Sequence, residues 1–400
     1  MNSNLISARS RSRVWILLLA IGAASTAAKA DAPIAFTAHE LTLGGSSCAV
    51  AAISDGIAVG GAHTPGDAEQ HAFAWTEGRG MVDLGTLGGT QSGAAAVDGL
   101  QVVGGSFTAG DAEFHAFIWT PAGGMRDLGT LGGAFSAASS ISGGVVVGAS
   151  ATASGDIHAF SWTRQTGMVD LGTLVGGAES SAVRIHRGLT AGWSTARGNE
   201  IRTRRPVVWD PQGQVFDVVG TPVDIDPLEG WVRNAGQAAD VHRGVVVGFF
   251  HATPAPDLFN HAFVWTVPHG FFDLGVPPDF QESFALATNG NLIVGLLSAR
   301  DVQHPFVWSR SEDFLDLGTL NGASRATAVN NEGWVVGQFV RPEGGNGTFL
   351  WTRRTGMRDV TPAILSAGAF PVGIDDEGRI AVQDNQEGVA RSAVLVPRKR

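Results

Sequence analysis

Five histidines and a parallel series of aspartates are the residues of this chain whose types and spacing invite chemistry. His71, His115, His158, His261 and His304 stand at one position of a recurring phrase. Asp83, Asp127, Asp170 and Asp316 sit in a second phrase, Asp-Leu-Gly-Thr-Leu, with weaker echoes at Asp217, Asp273 and Asp359. Imidazoles and carboxylates bind zinc and calcium and work as general acids and bases. Their distribution argues against both metals. One histidine per repeat cannot converge on a single zinc, and no dense Asp/Asn loop of the calcium type occurs. Satisfied structural histidines and turn-bonding aspartates are expected, with no metal and no cofactor.

A second group breaks the repeat. Val183-Arg184-Ile185-His186-Arg187 and Ala239-Asp240-Val241-His242-Arg243 replace small neutral residues found at the same places in other units. Arginine forks and aromatic faces suit carboxylates and sugars. The familiar enzyme signatures are missing: the sequence has no Gly-x-Ser-x-Gly elbow, His-Glu-x-x-His helix, phosphate loop or paired-cysteine metal motif. A propeller-type polysaccharide lyase or glycosidase remains the alternative, because its carboxylates come from separated repeats and leave no local motif.

The elements that must position these groups follow from seven tryptophans. Trp75, Trp119, Trp162, Trp209, Trp265, Trp308 and Trp351 are spaced 44, 43, 47, 56, 43 and 43 residues apart. Each closes a short alternating stretch such as His115–Thr120, with Phe117 and Trp119 on one face. The unit from Ser92 divides into four strands a to d: Ser92–Val97, Gln101–Gly105, His115–Thr120 and Met125–Leu131. Turn residues separate them. A period of about 45 residues with four short strands predicts an all-β propeller. Small residues on strand a fit the crowded axis, and the Phe and Trp of strand c fill the gaps between blades.

Strand c has a degenerate eighth copy at Ser392–Pro397, after which no strand d follows. Phe36–Gly45 resembles the strand d segment Gly80–Gly89. An N-terminal strand completing the last sheet removes two open edges, so eight blades are predicted, with seven as the alternative and a β-solenoid behind them.

Residues 1–30 read as a signal peptide: a basic start (Arg9, Arg11, Arg13), an apolar run from Val14 to Ala28, and cleavage after Ala28-Lys29-Ala30. Residues 31–397 are then one propeller domain and 398–400 a basic tail. Removing four basic residues and no acidic ones moves the formal charge from −10 to −14. That acidity argues against a nucleic-acid backbone or an anionic membrane surface as the main partner, and no later stretch offers the roughly 20 uninterrupted apolar residues of a span. A periplasmic or extracellular monomer is expected. The single cysteine, Cys48, allows no internal disulfide and takes the place of Ser92, Ser136 and Ser180, as a small wall residue.

The phrases His71–Thr76, Gly80–Gly89 and Gln101–Ser106, returning in the same order over nearly the whole mature chain, resemble the HAF repeat of probable extracellular bacterial proteins. The likeness weakens at Arg205–Asp210 and in the last unit. It implies export and a repeat fold, and carries no catalytic residues with it.

The longest tryptophan steps bracket units four and five. Added length falls at Ser194–Arg205, with Arg197, Arg202, Arg204 and Arg205, and at Gly220–Asn234, with Trp231. Both insertions belong to the b–c and d–a side of the blades and are expected to crowd one rim. Arg184 and Asp240 are equivalent by register, as an inter-blade ion pair or as part of a site. In the second reading Arg184, His186 and His242 supply donors at a channel mouth, and Trp193 or Trp231 supplies a stacking surface. The expected function is a binding scaffold for an acidic saccharide or an acidic protein surface.

Overall fold

The computed structural model describes residues 34–196, 204–220, 235–252, 259–300, 302–365 and 368–398. These form antiparallel four-stranded sheets in chain order, and the fold is a β-propeller. Apart from a single 3-10 turn at Ala109–Asp111, all of the regular elements among the described residues are strands. The second sheet is typical: strands a to d are Gly88–Asp98, Gln101–Thr108, Phe114–Thr120 and Gly124–Asp127. Strand a is longer than the sequence predicts and strand d stops earlier. The reason for the early stop is local. Asp127 accepts the Gly129 N–H at 2.7 Å, and Gly129 turns the chain with φ 73°.

Eight such sheets can be counted among the described residues, the first three joined by parallel bridges at Gln70–Gln91 and Phe114–Phe135. The eighth combines Phe370–Ile374, Ile380–Gln386 and Val389–Pro397 with the N-terminal strand Phe36–Leu41. Its register runs from Phe36 opposite Pro397 to Leu41 opposite Ser392. Strand a of every sheet contributes to the wall of one central cavity of about 280 Å³.

The apolar clusters lie between sheets. Phe160 and Trp162 of the third sheet pack with Ala96, Val103 and Ile118 of the second. Small residues on strand a and large ones on strand c thus interlock across each gap, as expected from the wedge shape of a blade. Of the motif tryptophans, Trp75, Trp162, Trp209, Trp308 and Trp351 are buried, whereas Trp119 and Trp265 are half-buried. A buried serine on strand a ties neighbouring sheets. Ser92 Oγ accepts the Ala72 N–H at 2.7 Å and donates to Gly85 O at 2.6 Å, and Ser136, Ser180 and Ser283 do the same. Cys48 occupies this position in the first sheet, where burial, with Glu40 adding to it, pushes its thiol up to about 12.

Candidate functional site

The repeated histidines and aspartates prove to be partners. His71 Nδ1 lies 2.8 Å from Asp83, His115 from Asp127, His158 from Asp170 and His304 from Asp316, with 3.0 Å between His261 and Asp273. Each histidine is on strand c, each aspartate on strand d, and the same carboxylate caps the glycine that follows. The constant 12-residue separation held this signal in the sequence. These groups hold the outer hairpin, and among the described residues no cluster of three His, Cys, Asp or Glu could hold a metal ion.

The fourth sheet comprises Ser180–His186, Leu189–Thr195, Arg204–Trp209 and Val215–Asp217. The fifth comprises Gly236–His242, Val245–His251, Asn260–Thr266 and Gly270–Gly275. Arg184 pairs in register with Ala191 and Asp240 with Val247, so the two are equivalent, and both line the central cavity. No direct ion pair joins them. Asp240 instead accepts the Val241 N–H and, across the sheet boundary, the Thr288 N–H, both at 2.9 Å. Burial raises its carboxyl above the ordinary carboxylate value, and the nearby Arg184 only partly offsets this.

His186 and His242 meet at the a–b end of the cavity, with ring centroids 4.2 Å apart and planes inclined by 48°. At four other junctions this end is clasped by hydrogen bonds between successive sheets. Gly143 N–H donates to Asp98 at 2.7 Å, Arg187 N–H to Ser142 at 3.2 Å, Asn289 Nδ2 to Asn330 O at 2.8 Å and Asn330 Nδ2 to Asp375 O at 3.0 Å. Between sheets four and five two imidazoles stand in place of that clasp, and His186 Nε2 is buried without a partner. Burial, followed for His186 by His242 and for His242 by Arg243, lowers both rings below 6.5.

The stability consequence has a definite sign. A histidine whose pKa is lowered on folding binds fewer protons when folded, so its cost appears as pH falls below about 6.5. His115 has the opposite sign: burial opposes its charge, yet the bonds to Asp127 and Glu113 outweigh it and raise its pKa. Its contribution is complete below the unfolded value and is lost as pH rises through the folded one. Thermal melts of wild type and His186→Ser between pH 7.5 and 5.5 should therefore diverge, with the variant less acid-sensitive. His115→Gln should differ the other way, being less sensitive to a rise in pH. Parallel curves for His186→Ser and wild type would remove the His186–His242 contact as a titrating element.

One expected grouping fails. Trp193 pairs with Ser181 and Pro206, five residues along strand a from His186 and so about 16 Å away at ~3.3 Å per residue. In an antiparallel sheet the a–b turn and the b–c loop leave from opposite ends. The histidine pair and the Trp193 edge therefore cannot form a single mouth. At that other end Arg204 is exposed, its guanidinium 4.0 Å from the centre of the Trp193 ring. Arg205 beside it is buried, in an ion pair with Asp217 at 2.8 Å. Arg197, Arg202 and Trp231 lie outside the described residues, as do most of the two insertions.

A small cavity of about 170 Å³ opens at the a–b end among Asp55, His242, Asp375 and Asp376. Two of its three carboxylates are already engaged. Asp375 accepts Gly56 N–H at 3.0 Å and Arg379 at 2.9 Å, and Asp376 accepts two bonds from Asn331 at 2.6 and 2.9 Å. A larger cleft of about 550 Å³ lies on the same side between sheets five and six, lined by Arg243, Thr266, His269, Trp308 and Arg310 among others. Sequence reading did not single out this cleft.

The chain is a β-propeller with its repeat broken in one sector, and its fold recurs in solved structures of low identity. A post-proline cleaving enzyme from Rickettsia typhi shares 9% identity with a TM-score of 0.55, covering 86% of this chain and 58% of that one. The β-propeller domain of the Trilobed protease from Pyrococcus furiosus is matched at 11% identity and TM-score 0.48, over 75% of this chain and 91% of that one. An oligogalacturonate lyase from Vibrio parahaemolyticus is matched at 8% identity and TM-score 0.46, over 91% and 97%. No family model and no curated protein matches the chain. At such identities the likeness defines the fold alone.

Proposed function

We propose that this chain is an exported, non-catalytic binding module of the HAF-repeat kind, and that it presents the b–c edge of its fourth sheet to an acidic saccharide or an acidic protein surface. The observation that carries this reading is Arg204, exposed and held 4.0 Å over Trp193. A guanidinium already stacked on an indole has less freedom to lose on binding, and its N–H edge stays free to fork onto a carboxylate. It does so where the repeat gains length, on a chain whose formal charge is −10. Arg184 and Asp240 place the unusual charges of the cavity wall in the same two sheets.

The test is a pull-down of acidic glycans and cell-envelope fractions with wild type, Arg204→Ala and Trp193→Ala. Losing one forked contact should weaken capture about tenfold, ~1.4 kcal/mol. Equal capture by all three rejects the edge as the site. Release of shortened or unsaturated oligosaccharides would place the protein with the lyases or glycosidases instead.

A further inference from the structure

The geometry points to a second site, unrelated to the Trp193 edge: the cleft between sheets five and six takes a small organic anion with an apolar body, a carboxylate on an aromatic or aliphatic frame. The sixth sheet comprises Glu282–Thr288, Ile293–Ala299, Val302–Ser309 and Asp313–Asp316, and the seventh carries its c–d turn after Asn346–Thr352. The repeat makes the c–d turns of successive sheets equivalent.

Between sheets six and seven, Arg353 reaches back to Glu312 of the preceding turn, with one bond at 3.0 Å. Arg353 lies two residues after Trp351, and Glu312 four residues after Trp308. One sheet earlier the same two positions are Arg310, two after Trp308, and His269, four after Trp265. The carboxylate that neutralises the arginine at one junction is an imidazole at the other. Arg310 consequently faces an open cleft with His269 and Arg243, and among the described residues no Asp or Glu lines it.

A hydroxyl departs from the repeat at the same spot. Thr76, Thr120, Thr163 and Thr352 each accept a backbone N–H of their own turn through Oγ1, at 3.3, 3.1, 3.1 and 3.1 Å. Thr266, the fifth-sheet counterpart, is 8% exposed and lines the cleft, yet its Oγ1 is buried without a partner. Leaving such a group unpaired is costly, and a ligand oxygen would satisfy it.

The remaining wall decides what kind of anion fits. Val264, Ile293 and Trp308 supply apolar surface, and the adjoining space of about 380 Å³ adds Phe271 and Phe272, the latter 58% exposed. Volumes of this size suit a small molecule with an apolar body rather than a bare inorganic ion. Cations at the lip and apolar residues within match a carboxylate whose frame enters first.

Titration calorimetry with 2-naphthoate, set against its neutral relative 2-naphthylmethanol, tests this on the full chain. Wild type should bind the anion at least tenfold more tightly. His269→Glu installs the carboxylate that the next turn carries, and should weaken naphthoate at least tenfold while leaving the unfolding midpoint in place. Arg310→Gln should weaken it as well, should the glutamate variant fail to fold. Arg353→Ala, at the neighbouring junction, should bind as wild type does. Equal affinity for the two ligands, unchanged naphthoate binding in both cleft variants, or no saturable binding up to millimolar concentration would each overturn the proposal.

Discussion

Deleting residues 31–45 is expected to replace one cooperative thermal transition by aggregation or a broad, non-cooperative melt. Phe36–Leu41 is the outer strand of the eighth sheet, although its residues lie more than 350 positions from those they pair with, from Phe36 opposite Pro397 to Leu41 opposite Ser392. Its side chains work on two fronts. Ile34, Phe36 and Ala38 pack into the cluster that joins sheets seven and eight. Leu41, 2% exposed, belongs to the cluster of sheets eight and one with Phe73 and Trp75. Truncating a buried leucine alone costs about 2–5 kcal/mol, a large share of a stability of ~5–15 kcal/mol. The deletion also bares the outer edge of Val389–Pro397, a template for pairing with other chains. Scanning calorimetry and light scattering on the deletion, beside a permutant carrying residues 36–45 after residue 400, would decide. A deletion that melts like wild type would mean that the first strand does not hold the sheets together.

How legible this was from residues alone depends on whether a feature repeats. The order of the strands and the strand exchange between the chain ends could be read because similar phrases return, and because Phe36–Gly45 resembles Gly80–Gly89, whereas the exact strand ends could not. The His–Asp pairing was equally available in its constant separation, but only if strands c and d are taken as one hairpin. Each partner viewed singly looks merely solvated. The junction of sheets five and six is harder to see. His269 and Arg310 are unremarkable until they are aligned with Glu312 and Arg353, since a missing charge leaves no motif. The grouping of His186 and His242 with Trp193 failed for a geometric reason. Nearness in sequence does not reveal which end of a strand a side chain occupies, and successive turns alternate ends. Arg184 and Asp240 were correctly placed at one level of the cavity wall. Of the two readings offered for them, the direct ion pair is absent, and Asp240 is held by the backbone of the next sheet.

Replacing Trp209 by alanine should produce the largest loss of any motif tryptophan, about 3–5 kcal/mol in denaturant unfolding. Trp209 is fully buried between sheets three and four, against Val147, Ala159 and Leu171 on one side and Ala182 and Ile185 on the other. Its indole N–H also donates to Leu171 O at 3.0 Å, across the sheet boundary. Alanine leaves a cavity and strands that carbonyl, whereas Trp209→Phe keeps most of the bulk and loses the donor, an expected cost of about 1–3 kcal/mol. The ordering therefore reports on mechanism: alanine worst, phenylalanine intermediate, and Trp119→Ala milder than Trp209→Ala because Trp119 is only half-buried. A Trp209→Ala protein within about 1 kcal/mol of wild type would show that the sheets repack without the anchor. One that kept its stability and lost ligand capture would move Trp209 from the core of the fold into the binding surface.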